Sequence, residues 1–125
     1  MSKKLVLIVE DEQDNREIIR TVVEEIIGYE AILASDGEGA LRAIAARRPD
    51  LILMDLMMPV LNGFETLRAL KAESDTATIP VIAISALSRP RDQDQAFDAG
   101  ADDYISKPFD LDLLADKITQ LAPTG

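Results

Sequence analysis

Three carboxylates stand at the ends of apolar runs and are the first candidates for chemistry. Residues 4–9 lead directly into Glu10 and Asp11, and residues 51–54 lead directly into Asp55. Short apolar runs predict strands buried on both faces, so in a parallel sheet these acidic side chains would meet at one edge. At an effective dielectric constant near 20, two unit charges about 4 Å apart repel by roughly 4 kcal/mol. Such a cluster therefore calls for a divalent cation, a bound proton or a nearby lysine.

A hydroxyl and an amine are predicted at the same edge. Ser85 ends the apolar run that begins at Pro80, and Lys107 follows the run 103–106. A carboxylate nucleophile, a hard divalent ion and groups that bind phosphoryl oxygens are together what phosphoryl transfer to a carboxylate needs. Mg²⁺ is the natural ion, because it prefers oxygen ligands and keeps several waters. The chain has no histidine and no cysteine, which excludes imidazole and thiolate chemistry.

Composition narrows the class of protein further. The chain has 125 residues, with 13 basic and 23 acidic side chains and a formal charge of −10. Such a charge repels phosphate backbones and anionic membranes, so we expect no direct nucleic-acid or membrane binding. Only five apolar residues follow the basic start before Glu10, too few for a signal peptide or a spanning helix. We expect one domain covering 1–125 in a cytoplasmic protein.

Strand-like runs alternate with segments of helical period, which predicts an α/β fold with a doubly wound, five-stranded parallel sheet and five helices. Ligands of such sheets lie beyond the carboxyl ends of the strands. Strands are predicted at about 4–9, 30–34, 51–55, 80–85 and 103–106, and helices at about 14–27, 36–47, 63–73, 89–99 and 110–121.

Helix ends and inner faces are predicted from local signals. Ser35 with Glu38 has capping-box spacing, Asn62 is the expected N-cap of the third helix, and Gly28 and Gly100 are expected to end helices. The inner face of the first helix is predicted to consist of Ile18, Ile19, Val22, Val23, Ile26 and Ile27. That of the last helix is predicted to consist of Leu111, Leu113, Leu114, Ile118 and Leu121.

Several motifs together resemble one family. They are residues 9–12 after the first strand, 55–59 with Gly63 and Glu65, 85–86 after the fourth strand, and 100–104 running on to 107–109. In this order and at these spacings the whole chain resembles a receiver domain of two-component response regulators, in the stand-alone, single-domain form. The resemblance implies the flavodoxin-like strand order 2-1-3-4-5.

The resemblance also implies roles for the acidic residues. Asp55 would be the phosphoacceptor. Asp11 and Asp55 would bind Mg²⁺ directly together with the backbone carbonyl of Met57, and Glu10 would act mainly through bound water.

Further roles are implied on the fourth and fifth strands. Ser85 and Lys107 would hold the phosphoryl oxygens, and Tyr104 would be an aromatic switch that turns inward when Ser85 moves. The bond between Lys107 and Pro108 is expected to be cis, which proline makes accessible.

The function implied is that of a phosphoacceptor switch in a phosphorelay. A histidine kinase or phosphotransfer protein would phosphorylate Asp55, and the chain would catalyse at most its own phosphorylation and dephosphorylation. A downstream protein would then read the α4-β5-α5 surface, which carries Arg89, Arg91, Gln95, Tyr104 and the exposed side of 110–120. The chain is expected to be a monomer or a weak, phosphorylation-dependent dimer.

Two positions depart from the commoner family pattern. The first acidic residue is Glu10 rather than aspartate, and the hydroxyl is Ser85 rather than threonine. Two residues beyond the acceptor and two beyond the hydroxyl, the side chains are the apolar Met57 and Leu87. Neither can orient an attacking water, so we predict a long-lived phosphoaspartate.

Three other readings remain open. A phosphatase of the haloacid dehalogenase type would need a second aspartate two residues after the nucleophile, where this chain has Met57. A flavin protein would need a donor-lined loop after the first strand, where residues 10–14 are mostly acidic. A degenerate receiver would bind partners without accepting phosphate and would lack one or more of the phosphorylation residues. This chain has Asp11, Asp55 and Lys107.

Overall fold

The computed structural model describes residues 3–57, 63–86 and 89–123. Strands β1 to β5 are Leu5–Val9, Glu30–Ala34, Leu51–Asp55, Val81–Ser85 and Asp103–Ser106. Helices α1 to α5 are Gln13–Thr21, Gly37–Ala46, Gly63–Ala72, Pro90–Ala99 and Leu111–Leu121, and a π-helical segment, Val22–Ile27, continues α1.

The strands form one parallel sheet in the order β2-β1-β3-β4-β5. Strands β1, β3 and β4 are buried along their whole length, which explains their continuous apolar sequences. The predicted fold class and strand order are confirmed. All five carboxyl ends therefore point to the same edge of the sheet, and the strand order reverses between β1 and β3.

Helices cover both faces of the sheet. The apolar side chains of α2, α3 and α4 pack on one face, around Ile44, Leu67 and Ala96. Those of α1, the π-helical segment and α5 pack on the other, around Ile19, Val23 and Leu114. Within the described ranges, no helix is both long and apolar enough to span a bilayer.

The first helix differs from its prediction. The amides of Gly28 and Tyr29 both donate to the carbonyl of Val23, at 3.1 and 2.8 Å, and Gly28 has a left-handed φ of 86°. The wider π-helical turn rotates the following side chains away from a strict 3.6-residue period. The inward placement predicted for Ile26 is wrong, because this side chain is 57% exposed. The placement predicted for Ile18, which precedes the π-helical turn, is also wrong: it is 44% exposed, because it is rotated by about 100° from its buried neighbour Ile19.

The N-cap of α2 also differs by one residue from the prediction. Asp36, rather than Ser35, accepts a hydrogen bond from the amide of Gly39, at 2.7 Å. A Cβ at position 39 would lie 3.2 Å from that carboxylate oxygen, so glycine keeps the cap uncrowded. The predicted N-cap Asn62 of α3 lies outside the described residues.

The last helix begins at the carboxylate of Asp110, which accepts from the amides of Asp112 and Leu113. Fewer side chains of α5 are buried against the sheet than the sequence predicted. Leu114 and Ile118 are buried, whereas Leu111 and Leu113 are 41% and 47% exposed. An apolar residue next to an inward one is rotated by about 100° from it, so the helix cannot bury adjacent leucines equally.

Candidate functional site

Three carboxylates meet at the carboxyl edge of the sheet. Val9 pairs with Met54, which brings Glu10 level with Asp55 on the neighbouring strand. One carboxylate oxygen from each of Glu10, Asp11 and Asp55 lies within 4.8 Å of the others. Glu10 and Asp55 are only 1% and 3% exposed, whereas Asp11 is exposed. The predicted clustering of these side chains is what the structure shows.

Lys107 lies in the same cluster and joins its two buried members. Its Nζ lies 2.8 Å from Oε1 of Glu10 and 3.0 Å from Oδ2 of Asp55. Its backbone amide donates to the carbonyl of Ser85 at 2.8 Å, which continues the pairing of β4 and β5. The peptide bond between Lys107 and Pro108 is cis.

Backbone amides fix the remaining oxygens of the buried carboxylates. The amide of Glu12 donates to Oε2 of Glu10 at 3.1 Å, and that of Met57 donates to Oδ1 of Asp55 at 3.0 Å. In each buried carboxylate, therefore, one oxygen accepts a hydrogen bond from a backbone amide and the other accepts one from Lys107. The Met57 side chain is 54% exposed beside Asp55, so water reaches the mouth of the site.

Burial and neighbouring charges change the proton affinity of this cluster. Burial raises the pKa of Glu10 from 4.5 to about 7, and the adjacent Asp55 adds to the rise, although the hydrogen bond from Lys107 opposes it. Burial alone would lower the pKa of Lys107. Its hydrogen bonds to Glu10 and Asp55 outweigh burial, so that pKa is raised above its usual value.

Ser85 lies on β4, which neighbours the acceptor strand β3, and Tyr104 lies on β5, one strand further out. Ser85 ends β4, is fully buried and pairs in register with Ser106. Tyr104 is 8% exposed and packs with the core on the side of α2, α3 and α4. The ring already faces the core here, so the proposed inward turn does not start from an exposed position. Leu87 and Met58 lie outside the described residues.

The structure shows one positioning residue that sequence reasoning missed, Arg16, and gives the physical reason for the motif residue Gly63. Nη1 of Arg16 donates to the carbonyls of Glu10 and Asp11, at 3.0 and 3.5 Å, and so ties α1 to the acidic loop. A Cβ on Gly63 would lie 2.3 Å from the Asp55 carbonyl oxygen, so α3 begins against the backbone of the acceptor. A basic residue in the first turn after an acidic pair is the signal that could have identified Arg16.

The donor set fits a hard cation of the Mg²⁺ kind. All of the clustered ligand atoms are carboxylate oxygens, and the sequence has neither histidine nor cysteine to offer nitrogen or thiolate. Magnesium takes one or two protein carboxylates and keeps waters in its other positions. The exposed carboxylate of Asp11 leaves one side of the cluster open to such waters.

The family model of the response regulator receiver domain matches residues 6–119. The chain belongs to this family. Receiver domains are signalling switches, generally not enzymes, that interact with histidine kinases or phosphotransfer proteins, and phosphorylation and magnesium are features of the family.

Relatives of known name or structure agree with this assignment. The chain is 43% identical over 109 residues to the phosphate regulon transcriptional regulatory protein PhoB of Pseudomonas aeruginosa, covering 87% of this receiver chain and 47% of PhoB. This receiver chain spans about half the length of the curated relatives it matches.

Two solved structures superpose on nearly the whole receiver. The Francisella response regulator 1452 receiver domain is 34% identical, with a TM-score of 0.88 and 95% and 96% of the two chains covered. The receiver domain of the sensor histidine kinase PA1611 from Pseudomonas aeruginosa PAO1 is 31% identical, with a TM-score of 0.88 and 98% and 100% covered. The latter is described with a magnesium ion coordinated in its active-site cleft.

Proposed function

We propose that this receiver accepts a phosphoryl group on Asp55 from a histidine kinase or a phosphotransfer protein, in a magnesium-dependent reaction. The observation that carries the proposal is the position of Lys107, whose ammonium contacts both Asp55 and Glu10 within the carboxylate cluster. An amine beside a buried acceptor carboxylate can bind the oxygens of an incoming phosphoryl group. The cytoplasm, which is typical of the family, is the proposed location.

The transfer step is a displacement at phosphorus. An oxygen of Asp55 forms a bond to phosphorus while the bond from phosphorus to the donor histidine nitrogen breaks, and the electron pair returns to that nitrogen. Before transfer, Lys107 holds Oδ2 of Asp55 and the Met57 amide holds Oδ1, which fixes the plane of the carboxylate. After transfer, Lys107 exchanges its contact with Asp55 for one with the phosphoryl group, and the Ser85 hydroxyl binds another of its oxygens.

Asp11 and Asp55 are the proposed direct ligands of Mg²⁺, with the Met57 carbonyl, and Glu10 acts through bound water. When bound, the ion neutralises charge on the phosphoryl oxygens. The amide of Glu12 and the guanidinium of Arg16 keep the acidic loop in place whether or not the ion is present. Loss of Lys107 from Glu10 would leave that buried carboxylate in need of another cation.

The proposed output is a change on the α4-β5-α5 surface. Lys107 directly follows β5, and Tyr104 lies three residues before it on that strand. A new contact between Lys107 and a phosphoryl group therefore pulls on the same segment that carries Tyr104, the proposed switch. A downstream protein would read the result. The stand-alone form of the chain stays a prediction, as does its state as a monomer or weak dimer.

Intact mass after incubation with acetyl phosphate and magnesium tests the acceptor. We expect one added phosphoryl group in the native chain and none in Asp55→Asn. Asp102→Asn is the matched control, because Asp102 also contacts a lysine, Lys71, but at the opposite edge of the sheet. It should be phosphorylated like the native chain. Phosphorylation of Asp55→Asn at the native level would refute the proposal.

Amide chemical shifts with a beryllofluoride mimic and magnesium test the output surface. We expect shifts in Arg89, Arg91, Gln95, Tyr104 and the segment 110–120, and little change in α2. Shifts confined to the immediate surroundings of Asp55 would contradict the proposed output. Phosphomonoester turnover is a separate check, and we expect none.

A further inference from the structure

The bend between β1 and α1 contains two carbonyls that depend on one side chain. Residues 10–12, the acidic loop, lie between the end of β1 and the start of α1. Among the described residues, no backbone amide donates to the carbonyl of Glu10 or of Asp11. Nη1 of Arg16 donates to both, at 3.0 and 3.5 Å. The guanidinium therefore replaces the backbone donors that a regular helix or strand would supply.

Arg16 makes these contacts instead of an ion pair. Four acidic residues precede it closely in the chain, namely Glu10, Asp11, Glu12 and Asp14. Within the part of the chain that the structure describes, Arg16 nevertheless pairs with no carboxylate. Its guanidinium holds the backbone and leaves the carboxylates available to another cation.

Asp11 depends on this backbone more than the two buried carboxylates do. Glu10 and Asp55 are each fixed by a backbone amide and by Lys107. The exposed Asp11 carboxylate has no hydrogen bond or ion pair among the described residues, yet one of its oxygens lies within 4.8 Å of the other two carboxylates. A short side chain without a partner of its own is placed by its backbone. The hold of Arg16 on the acidic loop therefore sets the position of the third carboxylate.

We propose that Arg16 raises the affinity of the site for Mg²⁺ by holding the acidic loop, although its own charge opposes a cation. The inference rests on the proposed function in taking Asp11 and Asp55 as ligands of the ion. Two effects of opposite sign compete, because the guanidinium repels a divalent ion but keeps the Asp11 carboxylate in place. Groups that orient metal ligands typically contribute about 10–100-fold to metal affinity. Repulsion through solvent is screened at physiological salt, so the positioning effect is the larger.

A titration with magnesium chloride at physiological salt, followed by amide chemical shifts, tests this role. Shifts of residues 10–12 and 55–57 give the Kd of the native chain and of each variant. Arg16→Met removes both hydrogen bonds and keeps most of the aliphatic side chain, so it should raise the Kd about tenfold or more. Arg16→Lys keeps an amine that can donate to the carbonyls and should recover part of this loss.

Arg20→Met is the matched control on the same helix. Arg20 lies about one turn after Arg16 and pairs with Glu17 and Glu24 instead of the acidic loop. Its loss changes the net charge equally and should leave the Kd within about twofold of the native value. If charge alone mattered, both variants would bind magnesium more tightly, and Arg16→Met would gain more because Arg16 is nearer to the site. Positioning predicts the opposite sign for Arg16→Met.

A second measurement separates positioning from a general loss of structure. Phosphorylation by acetyl phosphate, followed by intact mass at increasing magnesium, should need about tenfold more magnesium in Arg16→Met but reach the native maximal rate. A residue that only stabilised the fold would lower the free energy of unfolding in urea and EDTA without changing the Kd of the folded protein.

Native or tighter magnesium binding by Arg16→Met would overturn the inference, as would losses of equal size in Arg16→Met and Arg20→Met. The proposed function is tested separately by the same assays. Magnesium binding without any phosphoryl group on Asp55 refutes the phosphoacceptor alone. Phosphorylation of the native chain together with an unchanged Kd in Arg16→Met refutes the role of Arg16 alone, and a native chain that binds no magnesium refutes both.

Discussion

Two lysines of similar exposure, one at each edge of the sheet, have opposite surroundings. At the carboxyl edge, the Lys107 side chain is 20% exposed and contacts the buried carboxylates of Glu10 and Asp55. At the amino edge, the Lys71 side chain is 18% exposed. Its Nζ donates to the carbonyls of Ala77 and Ile79, at 3.1 and 2.8 Å, and contacts Asp102 at 3.3 Å.

The difference lies in how many carboxylates lie near each lysine. Carboxylates accept from backbone amides at both edges, and at the amino edge Asp102 accepts from Val81 and Asp50 from Leu5, each at 2.8 Å. The three acceptors around Lys71 match the three N–H groups of an ammonium. At the carboxyl edge, three carboxylates cluster and one amine contacts two of them, so carboxylates outnumber the amine. A lysine with matched acceptors holds structure together, whereas a lysine among surplus carboxylates leaves room for a cation and a phosphoryl group.

Exchanging each lysine for methionine gives the largest expected contrast. Lys107→Met should slow phosphorylation by acetyl phosphate about 100-fold or more, the usual loss when a charged donor is removed from a reacting oxygen. Lys71→Met should leave that rate unchanged but lower the free energy of unfolding by about 1–3 kcal/mol, because two carbonyls lose their donor. Intact-mass time courses and urea unfolding measure the two quantities. Slow phosphorylation in Lys71→Met would contradict the assignment of a purely structural role to Lys71.

Two glycines allow a similar test of backbone position. A Cβ at Gly63 would meet the backbone of Asp55 and Leu56, at 2.3 and 2.5 Å. At Gly100, where φ is 116°, it would lie 2.4 Å from Cγ of Lys71. Both alanine variants should lose about 1–3 kcal/mol of unfolding free energy.

Gly63→Ala should slow phosphorylation as well as destabilise the fold, because it displaces the strand that carries Asp55. Gly100→Ala should leave the phosphorylation rate unchanged. The rate is measured by intact mass below the unfolding transition of each variant. Equal rates in Gly63→Ala and Gly100→Ala would show that the backbone of Asp55 tolerates the displacement.

Met57→Asn should shorten the lifetime of the phosphoaspartate severalfold. The exposed Met57 side chain lies at the mouth of the site and has no group that orients a water, whereas an amide can do so. Decay of the phosphorylated mass after removal of acetyl phosphate gives the lifetime, and Met57→Leu is the control that keeps an apolar side chain. An unchanged lifetime in Met57→Asn would remove the basis for predicting a long-lived phosphoaspartate.

A further expected effect concerns how the free energy of unfolding changes with pH in the absence of magnesium. The pKa of Glu10 rises from 4.5 in the unfolded chain to about 7 in the folded one. Between these values the folded protein holds a proton that the unfolded chain has lost, so this group makes stability fall as the pH rises from 4.5 to 7. Glu10→Gln should remove that part of the fall.

Glu30, which begins β2 at the amino edge, supplies a control of opposite sign. The hydrogen bond from Arg47 lowers the pKa of Glu30 in the folded protein. Glu30 therefore stabilises the folded state above its unfolded pKa, and this stabilisation is lost as the pH falls. Glu30→Gln should therefore flatten the acid limb of the stability profile. Urea unfolding in EDTA at several pH values measures both variants, and a steeper fall toward pH 7 in Glu10→Gln would contradict the raised pKa.

Much of the fold and the clustering of the site could be predicted from the sequence. Apolar runs that end in Glu10, Asp55 and Ser85 define strands whose carboxyl ends must share one edge in a parallel sheet. The strand order could be predicted only from the resemblance to the family, because periodicity alone does not show which strands are neighbours. The meeting of Lys107 with Asp55 depends on that order.

Other features depend on contacts that no local pattern encodes. The π-helical turn after α1 places Ile26 at the surface instead of in the predicted inner face. The N-cap of α2 is Asp36 instead of the predicted Ser35. Leu113 is exposed because adjacent residues of a helix cannot share its inner face. The close approach of Gly63 to Asp55 brings the start of α3 against the end of β3, so only the folded backbone shows why a side chain would not fit there.

The most direct test of the central claim is to locate the phosphoryl group chemically. Borohydride reduces a phosphoaspartate to homoserine, and tandem mass spectrometry of peptides then reads the position of the new residue. We expect homoserine at position 55 alone, only after incubation with both acetyl phosphate and magnesium. Homoserine at position 11, or at position 55 equally in the presence of EDTA, would contradict it.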